Sequence, residues 1–166
     1  MPCSRRGGNS RWQLLIGWSE VIAGIGGLLM LPLVAYQNVI HATALYYLGV
    51  AVVFGVVAAA GWLLLRGHPL GLKVSRWLQV AQIVQLTAAG FTYQFTAGIQ
   101  LLLVFGGGHF RFSPGVNAAL WLGPTIGDQA FRLGVNLFPI IALWGLQLPK
   151  PIVATSAVKA NKTARS

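Results

Sequence analysis

Four long apolar stretches, with Lys and Arg gathered on one side of them, constrain this chain more than any other feature of its sequence. The stretches run from about Trp12 to Ala35, Leu45 to Leu65, Val74 to Thr96 and Ile126 to Leu148. Each is close to the roughly 20 residues that carry a helix across hydrocarbon. Arg5, Arg6 and Arg11 precede the first stretch, Arg66, Lys73 and Arg76 separate the second from the third, and Lys150, Lys159, Lys162 and Arg165 follow the fourth. Only Arg111 and Arg132 belong to the opposite side. An excess of Lys and Arg in short loops marks the cytoplasmic face. The pattern therefore predicts an all-α integral membrane protein, a four-transmembrane-helix bundle with both termini inside.

Composition agrees. With 55% hydrophobic residues, 8% charged and only two acids in 166 residues, a soluble domain would have too little polar surface to stay dissolved. The net charge of +10 does not point to nucleic acid. Ten of the twelve cations flank the spans on one side, where anionic lipid headgroups attract each by about 1 kcal/mol. The expected partners are a lipid bilayer with anionic headgroups and other membrane protein subunits. Cys3 is the single cysteine, so no internal disulfide is expected, and no small-residue cleavage site marks a removed signal peptide. These features fit a bacterial plasma (inner) membrane or an internal energy-transducing membrane.

Along the chain, residues 1–11 and 149–166 read as disordered basic cytoplasmic tails around a membrane domain over 12–148. Tyr36, Tyr46 and Tyr47 fit an aromatic belt at the outer interface, and Trp12, Trp18, Trp62, Trp77 and Trp144 lie nearer the cytoplasmic ends. Residues 98–124 change character. IQLLLVF is rich in β-formers, GGG is a breaker, HFRFS alternates polar with apolar, and Ser113-Pro114-Gly115 is a turn signal. This stretch is expected to form a small extracytoplasmic β-hairpin or β-meander between the third and fourth helices.

Small residues recur every fourth position at Ser19, Ala23 and Gly27 and again at Ala51, Gly55 and Ala59, placing each set on one helix face. Such rows let backbones approach where apolar burial gives no driving force, so the first two spans are expected to pack along them. Pro139, near the middle of the fourth span, is expected to kink that helix.

Glu20 is the only acid inside a span, about 13 Å past Arg11 at 1.5 Å per residue and so near the midplane. A charge there costs ~2.5 to 3.5 kcal/mol on insertion scales, so Glu20 should be neutral, hydrogen-bonded or beside water. Gln82, Gln85 and Asn136 lie at a similar depth, and Gln79, Gln82 and Gln85 form a polar stripe. This intramembrane cluster is either a set of interhelical hydrogen bonds, about 0.6 to 2 kcal/mol each, or a proton- or cation-coupled site lined by amides. In this one residue, a mid-membrane Glu in the first of four spans, the chain resembles the small multidrug-resistance transporters, and the resemblance implies the second role.

Little else carries chemistry. His41, His68 and His109 fall outside the spans, where none is placed as an axial ligand, so no cofactor is expected. His41, His109 and Asp128 match no metal-ligand spacing, and hydrolase motifs are missing. The sequence thus favours a non-catalytic accessory, scaffold or assembly subunit of a larger membrane complex. A small transporter or channel using Glu20 is the alternative, and lipid or quinone binding in a groove between spans is a third.

Overall fold

The computed structural model describes residues 11–36, 43–88, 90–124 and 131–147, and both tails therefore lie outside the described residues apart from Arg11. Its first two helices, α1 (Arg11–Tyr36) and α2 (Ala44–Leu65), form an antiparallel hairpin. α2 is an apolar run without a charge, α1 is interrupted by Gln13, Ser19 and Glu20, and both are long and apolar enough to cross a membrane. The backbones touch where glycine faces them. A Cβ at Gly24 would lie 2.5 Å from the Ala58 backbone nitrogen, and one at Gly61 would lie 2.6 Å from the Gly17 carbonyl oxygen. The contact thus follows Gly17, Gly24 and Gly27 on α1 and Phe54, Ala58 and Gly61 on α2. Ala23 packs with Val57, Phe95 and Ala97, and Ser19 lies against Gly98. On α2, open space surrounds Gly55, Ala59 is exposed and Ala51 is half-buried. Either small-residue row satisfies the spacing; the bulkier row carrying Phe54 is the one that meets α1.

The all-α four-helix bundle is contradicted by the rest of the chain, which contributes two shorter helices and a four-stranded antiparallel sheet. The expected third span, 74–96, divides into α3 (Pro69–Ala81), β1 (Val84–Ala88) and the start of β2 (Phe91–Gly106). His68 caps α3 by accepting from the Leu70 N–H at 3.2 Å, and Pro69 sits in its first turn, where a missing N–H costs nothing. The helix stops at Ala81 because VQLTA alternates apolar with polar at the strand period. The expected fourth span, 126–148, contains β4 (Arg132–Asn136) followed by α4 (Leu137–Gln147). Pro139 is consequently the third residue of α4, in a turn whose N–H groups have no intrahelical partner, and it cannot act as a mid-helix kink. At the far end of α4, Gly145 rests on the Trp12 ring, and the Arg76 guanidinium donates to the Leu146 carbonyl at 2.9 Å. Thus α3 and α4 both occupy the end of the molecule marked by Arg11 and Leu65.

The β-element expected over 98–124 is larger than a surface hairpin. β2 pairs along its whole length with β3 (His109–Pro124). Gly107 and Gly108 connect them with φ of 58° and 78°, the positive values a two-residue hairpin turn requires. Ser113-Pro114-Gly115 is no turn. It lies inside β3 opposite residues 100–102, and Pro114 is tolerated there because β3 is an edge strand. The first residues of β2 also pair with β1, its last residues pair with β4, and β1 pairs with β4. One row therefore runs Gly123, Thr92, Thr87, Arg132, Gly106, His109, with β2 and β3 entering it twice. The sheet is curled.

Directly opposed residues share a face of a sheet and neighbours along a strand alternate. One face of all four strands is apolar, with Leu86, Phe95, Leu101, Phe110, Val116 and Leu133 among its residues. The other carries Gln85, Thr87, Thr92, Gln94, Thr96, Gln100, Arg111, Arg132 and Asn136. Part of the apolar face packs on the helices, where Ile99 and Leu101 join Ile16, Leu64, Phe138 and Ala142. Elsewhere it is bare: Phe110, Phe112, Val116 and Leu122 are all more than half exposed.

Buried polar side chains sit beside an apolar core, and many large apolar side chains are exposed. Glu20, Ser75, Gln79, Gln82, Thr96 and Asn136 are no more than 1% exposed, while Ile22, Leu29, Met30, Leu48, Val52 and Trp77 are more than half exposed. Helix α3 turns Ser75 and Gln79 inward and Leu70, Trp77 and Val80 outward. Only 39% and 33% of the apolar windows of α1 and α2 are buried, unlike a core helix of a soluble domain.

Candidate functional site

Two features converge where α3 and α4 give way to strands: a seam of buried polar side chains, and beyond it a cavity. In the seam, Ser75 Oγ donates to Glu20 Oε1 at 2.6 Å and Gln79 Nε2 donates to the same oxygen at 3.0 Å. Ser75 and Gln79 are four residues apart and so share a face of α3. Gly61 gives Glu20 its room, since a Cβ there would come within 2.8 Å of Glu20 Cβ.

Gln82 and Asn136 solve a different problem. Between its pairings with β1 and β4, the middle of β2 has no strand on that edge, and buried backbone groups need partners. Gln82 Oε1 accepts from the Ala97 N–H at 2.7 Å, and Asn136 Oδ1 accepts from the Leu101 N–H at 2.9 Å. Asn136 Oδ1 also receives the Phe138 N–H at 3.3 Å, capping α4. Gln85 Nε2 donates to Thr96 Oγ1 at 2.8 Å inside the curl. The structure therefore buries all of Glu20, Gln82, Gln85 and Asn136 but gives each its own partners, and Glu20 bonds to α3 alone. Glu20 Oε2, Gln79 Oε1, Gln82 Nε2, Gln100 Oε1 and Asn136 Nδ2 make no hydrogen bond within the described residues.

Ser75, Thr96 and Gln100 were not singled out by sequence. Ser75 had a signal, lying four residues before Gln79. Thr96 and Gln100 had one too, as members of the alternation Thr92, Gln94, Thr96, Gly98, Gln100, which is visible only once 91–106 is read as strand.

The cavity measures about 570 Å3 and lies between the hairpin end at Tyr36 and Ala44 and the curled sheet. Met30, Leu31, Val34, Val50 and Phe54 form its apolar wall, and Gln85, Thr87, Thr92, Gln94 and Arg132 give it polar groups. Tyr46 ties wall to sheet: its hydroxyl donates to the Leu120 carbonyl at 3.2 Å, and its ring meets Trp121 edge-on. Its volume is in the range of small-molecule sites, about 300 to 1,000 Å3. A second cavity of about 490 Å3 adjoins it, with Leu102, Val104 and Arg132 in both linings. Glu20 lines neither cavity.

Among the described residues no three His, Cys, Asp or Glu side chains gather to hold a metal ion; His41 and Asp128 lie outside them. Compared with known proteins, the chain matches no family model, no curated protein and no solved structure.

Proposed function

We propose that the chain is an integral membrane protein that binds a lipid-like amphiphile between the α1–α2 hairpin and the curled sheet. The single observation that carries the binding is the two-sided cavity, with acyl-compatible aliphatic side chains on one wall and hydrogen-bonding groups on the other. The exposed apolar side chains of α1, α2 and β3 support the membrane, because groups that are expensive to expose to water are favourable against hydrocarbon. Arg11, Arg66, Lys73 and Arg76 gather at one end, which the positive-inside rule makes cytoplasmic. The cavity is then in the outer half of a bacterial inner membrane. Acyl chains cover the bare apolar face of β3, so that face does not require the protein partner of an accessory subunit. A transporter using Glu20 draws less support, since both described cavities leave that carboxylate out.

Native mass spectrometry of protein extracted in mild detergent tests the proposal. Retained lipid at one copy per chain is expected. Ala119→Trp, which places an indole in the cavity lining, should remove it while the circular dichroism spectrum is kept. Lipid-free wild-type protein, or equal retention by Ala119→Trp, overturns the reading.

A further inference from the structure

The second cavity carries a further inference, resting on the lipid reading and deepening it. Its floor is the polar face of the sheet where β4, β2 and β3 lie side by side. Arg132 opposes Gly106, which opposes His109; one row inward, Gly134 opposes Val104, which opposes Arg111; beyond that, Leu102 opposes Ser113. Residues opposed in register share a face, so Arg132, His109, Arg111 and Ser113 all project from the same side. All four line the cavity.

Gly106 between Arg132 and His109 shapes this arrangement. A Cβ at Gly106 would come within 2.8 Å of Arg132 Cγ. The Arg132 side chain therefore lies across the β2 backbone, towards His109. Two guanidinium groups thus share one cavity, and the only acid among the described residues is Glu20, far along α1 and bonded to α3. Like charges gathered without a counter-charge repel, and a planar fork of donors matches an oxyanion better than any other group.

The adjoining cavity supplies the other half of the ligand. Arg132, Leu102 and Val104 line both spaces, so an aliphatic chain against Met30, Leu31 and Val34 leads directly to the cations. We infer that Arg111 and Arg132, with His109 and Ser113 as further donors, form an oxyanion site for the phosphate-type head group of an amphiphile whose chain occupies the larger cavity. Arg132 shares the larger cavity with Met30, Leu31 and Val34 in the last turns of α1, and in a bilayer crossed by α1 that level is close to the lipid phosphates.

The test uses full-length, delipidated protein in mild detergent with three probes: phosphatidic acid, diacylglycerol with the same acyl chains, and inorganic phosphate. Wild type should retain phosphatidic acid at least roughly tenfold better than diacylglycerol, a difference of one decade in affinity. In the double variant Arg111→Gln and Arg132→Gln, the preference should disappear, with phosphatidic acid and diacylglycerol retained to the same extent. Arg132→Gln alone, expected to lose most of the preference, keeps the test decisive if the double variant does not fold. Equal retention of the two lipids by wild type, or a preference that survives both variants, overturns the oxyanion site and leaves the cavity reading standing. Phosphate binding that depends on the arginines, without retention of either lipid, supports the oxyanion site for a free anion and overturns the lipid reading. Binding of none of the three probes overturns both.

Discussion

The α1–α2 hairpin and the pair of broken segments, α3 with β1 and β4 with α4, start from similar apolar runs and end in different conformations. The hairpin helices run unbroken for 26 and 22 residues, whereas α3 and α4 stop after 13 and 11. In hydrocarbon every backbone N–H and C=O must find a partner within the protein. A helix satisfies its own; a strand cannot. β1 and β4 therefore depend on each other and on β2, whose unpaired middle depends in turn on the amides of Gln82 and Asn136. What separates the two regions is polar side chains at depth. Within its long run α1 has Glu20 as its one acid and α2 has no charged residue at all, while the broken segments carry Gln79, Gln82, Gln85 and Asn136. Apolar length makes α1 and α2 long enough to cross a membrane. The amides decide whether an apolar run can leave the helix.

The hairpin should fail by steric overlap and the broken segments by loss of partners. The largest effect is expected at the helix contact. Gly24→Val puts a branched side chain where even a Cβ would be 2.5 Å from the Ala58 nitrogen, and because the obstruction is backbone, the helices must separate. The loss should reach or exceed about 3 kcal/mol, the upper range for overpacking, read from unfolding of the detergent-solubilised protein in increasing SDS. A wild-type-like transition would mean that the hairpin is not held at this crossing. Next comes Asn136→Ala, which strips the acceptor from the Leu101 and Phe138 N–H groups. Two buried donors left unpaired cost roughly 2 to 4 kcal/mol together. Asn136→Asp keeps the acceptor and, at a pH low enough to protonate the buried carboxyl, should recover most of the loss. If Ala and Asp behave alike in the same assay, Asn136 is not the stand-in for a missing strand.

How much of this was legible in the sequence follows from the same contrast. The ends of α1 and α2 were readable to within a residue or so, because apart from Pro32 and the glycines little in Trp12 to Ala35 or Leu45 to Leu65 competes with a helix. In the later half the strand period was present in plain view: Phe91, Tyr93, Phe95 against Thr92, Gln94, Thr96, and Phe110, Phe112 against His109, Arg111, Ser113. The second alternation suggested strand. The first was absorbed into a span because its residues completed an apolar run of membrane length, and hydropathy averaged over that window cannot distinguish period two from period 3.6. The depth assigned to the polar cluster assumed four full spans, two of which do not form, so its burial did not follow from depth. Nor did its partners, because Ala97 and Leu101 offer backbone groups, which leave no mark on the sequence. The choice of Phe54, Ala58 and Gly61 over Ala51, Gly55 and Ala59 was likewise unreadable, since both rows satisfy the same helical spacing.

A smaller effect separates shape from chemistry at Glu20. Glu20→Ala leaves Ser75 Oγ and Gln79 Nε2 without the oxygen they share, a loss of roughly 2 kcal/mol for buried donors. Glu20→Gln preserves an acceptor at that position and the volume of the side chain. It should unfold close to wild type, within about 1 kcal/mol, and should leave lipid retention unchanged because Glu20 lines neither cavity. Loss of retained lipid in Glu20→Gln with stability intact would tie the carboxylate to binding after all.

The smallest effect is expected at Gly55, and it sharpens the contrast within the hairpin itself. Gly55 and Gly24 are both mid-helix glycines in rows of small residues. A Cβ at Gly55 meets nothing within 4 Å, so Gly55→Ala only removes the conformational freedom that glycine brings to a helix. It should stabilise the protein by about 0.5 to 1 kcal/mol. The paired experiment is Gly24→Ala beside Gly55→Ala in the same SDS titration, one methyl group each, with opposite signs expected. If Gly55→Ala destabilises instead, something rests on that outer face of α2. The open row Ala51, Gly55, Ala59 would then be a contact surface for a second chain, and the hairpin would need a partner of its own just as the broken segments do.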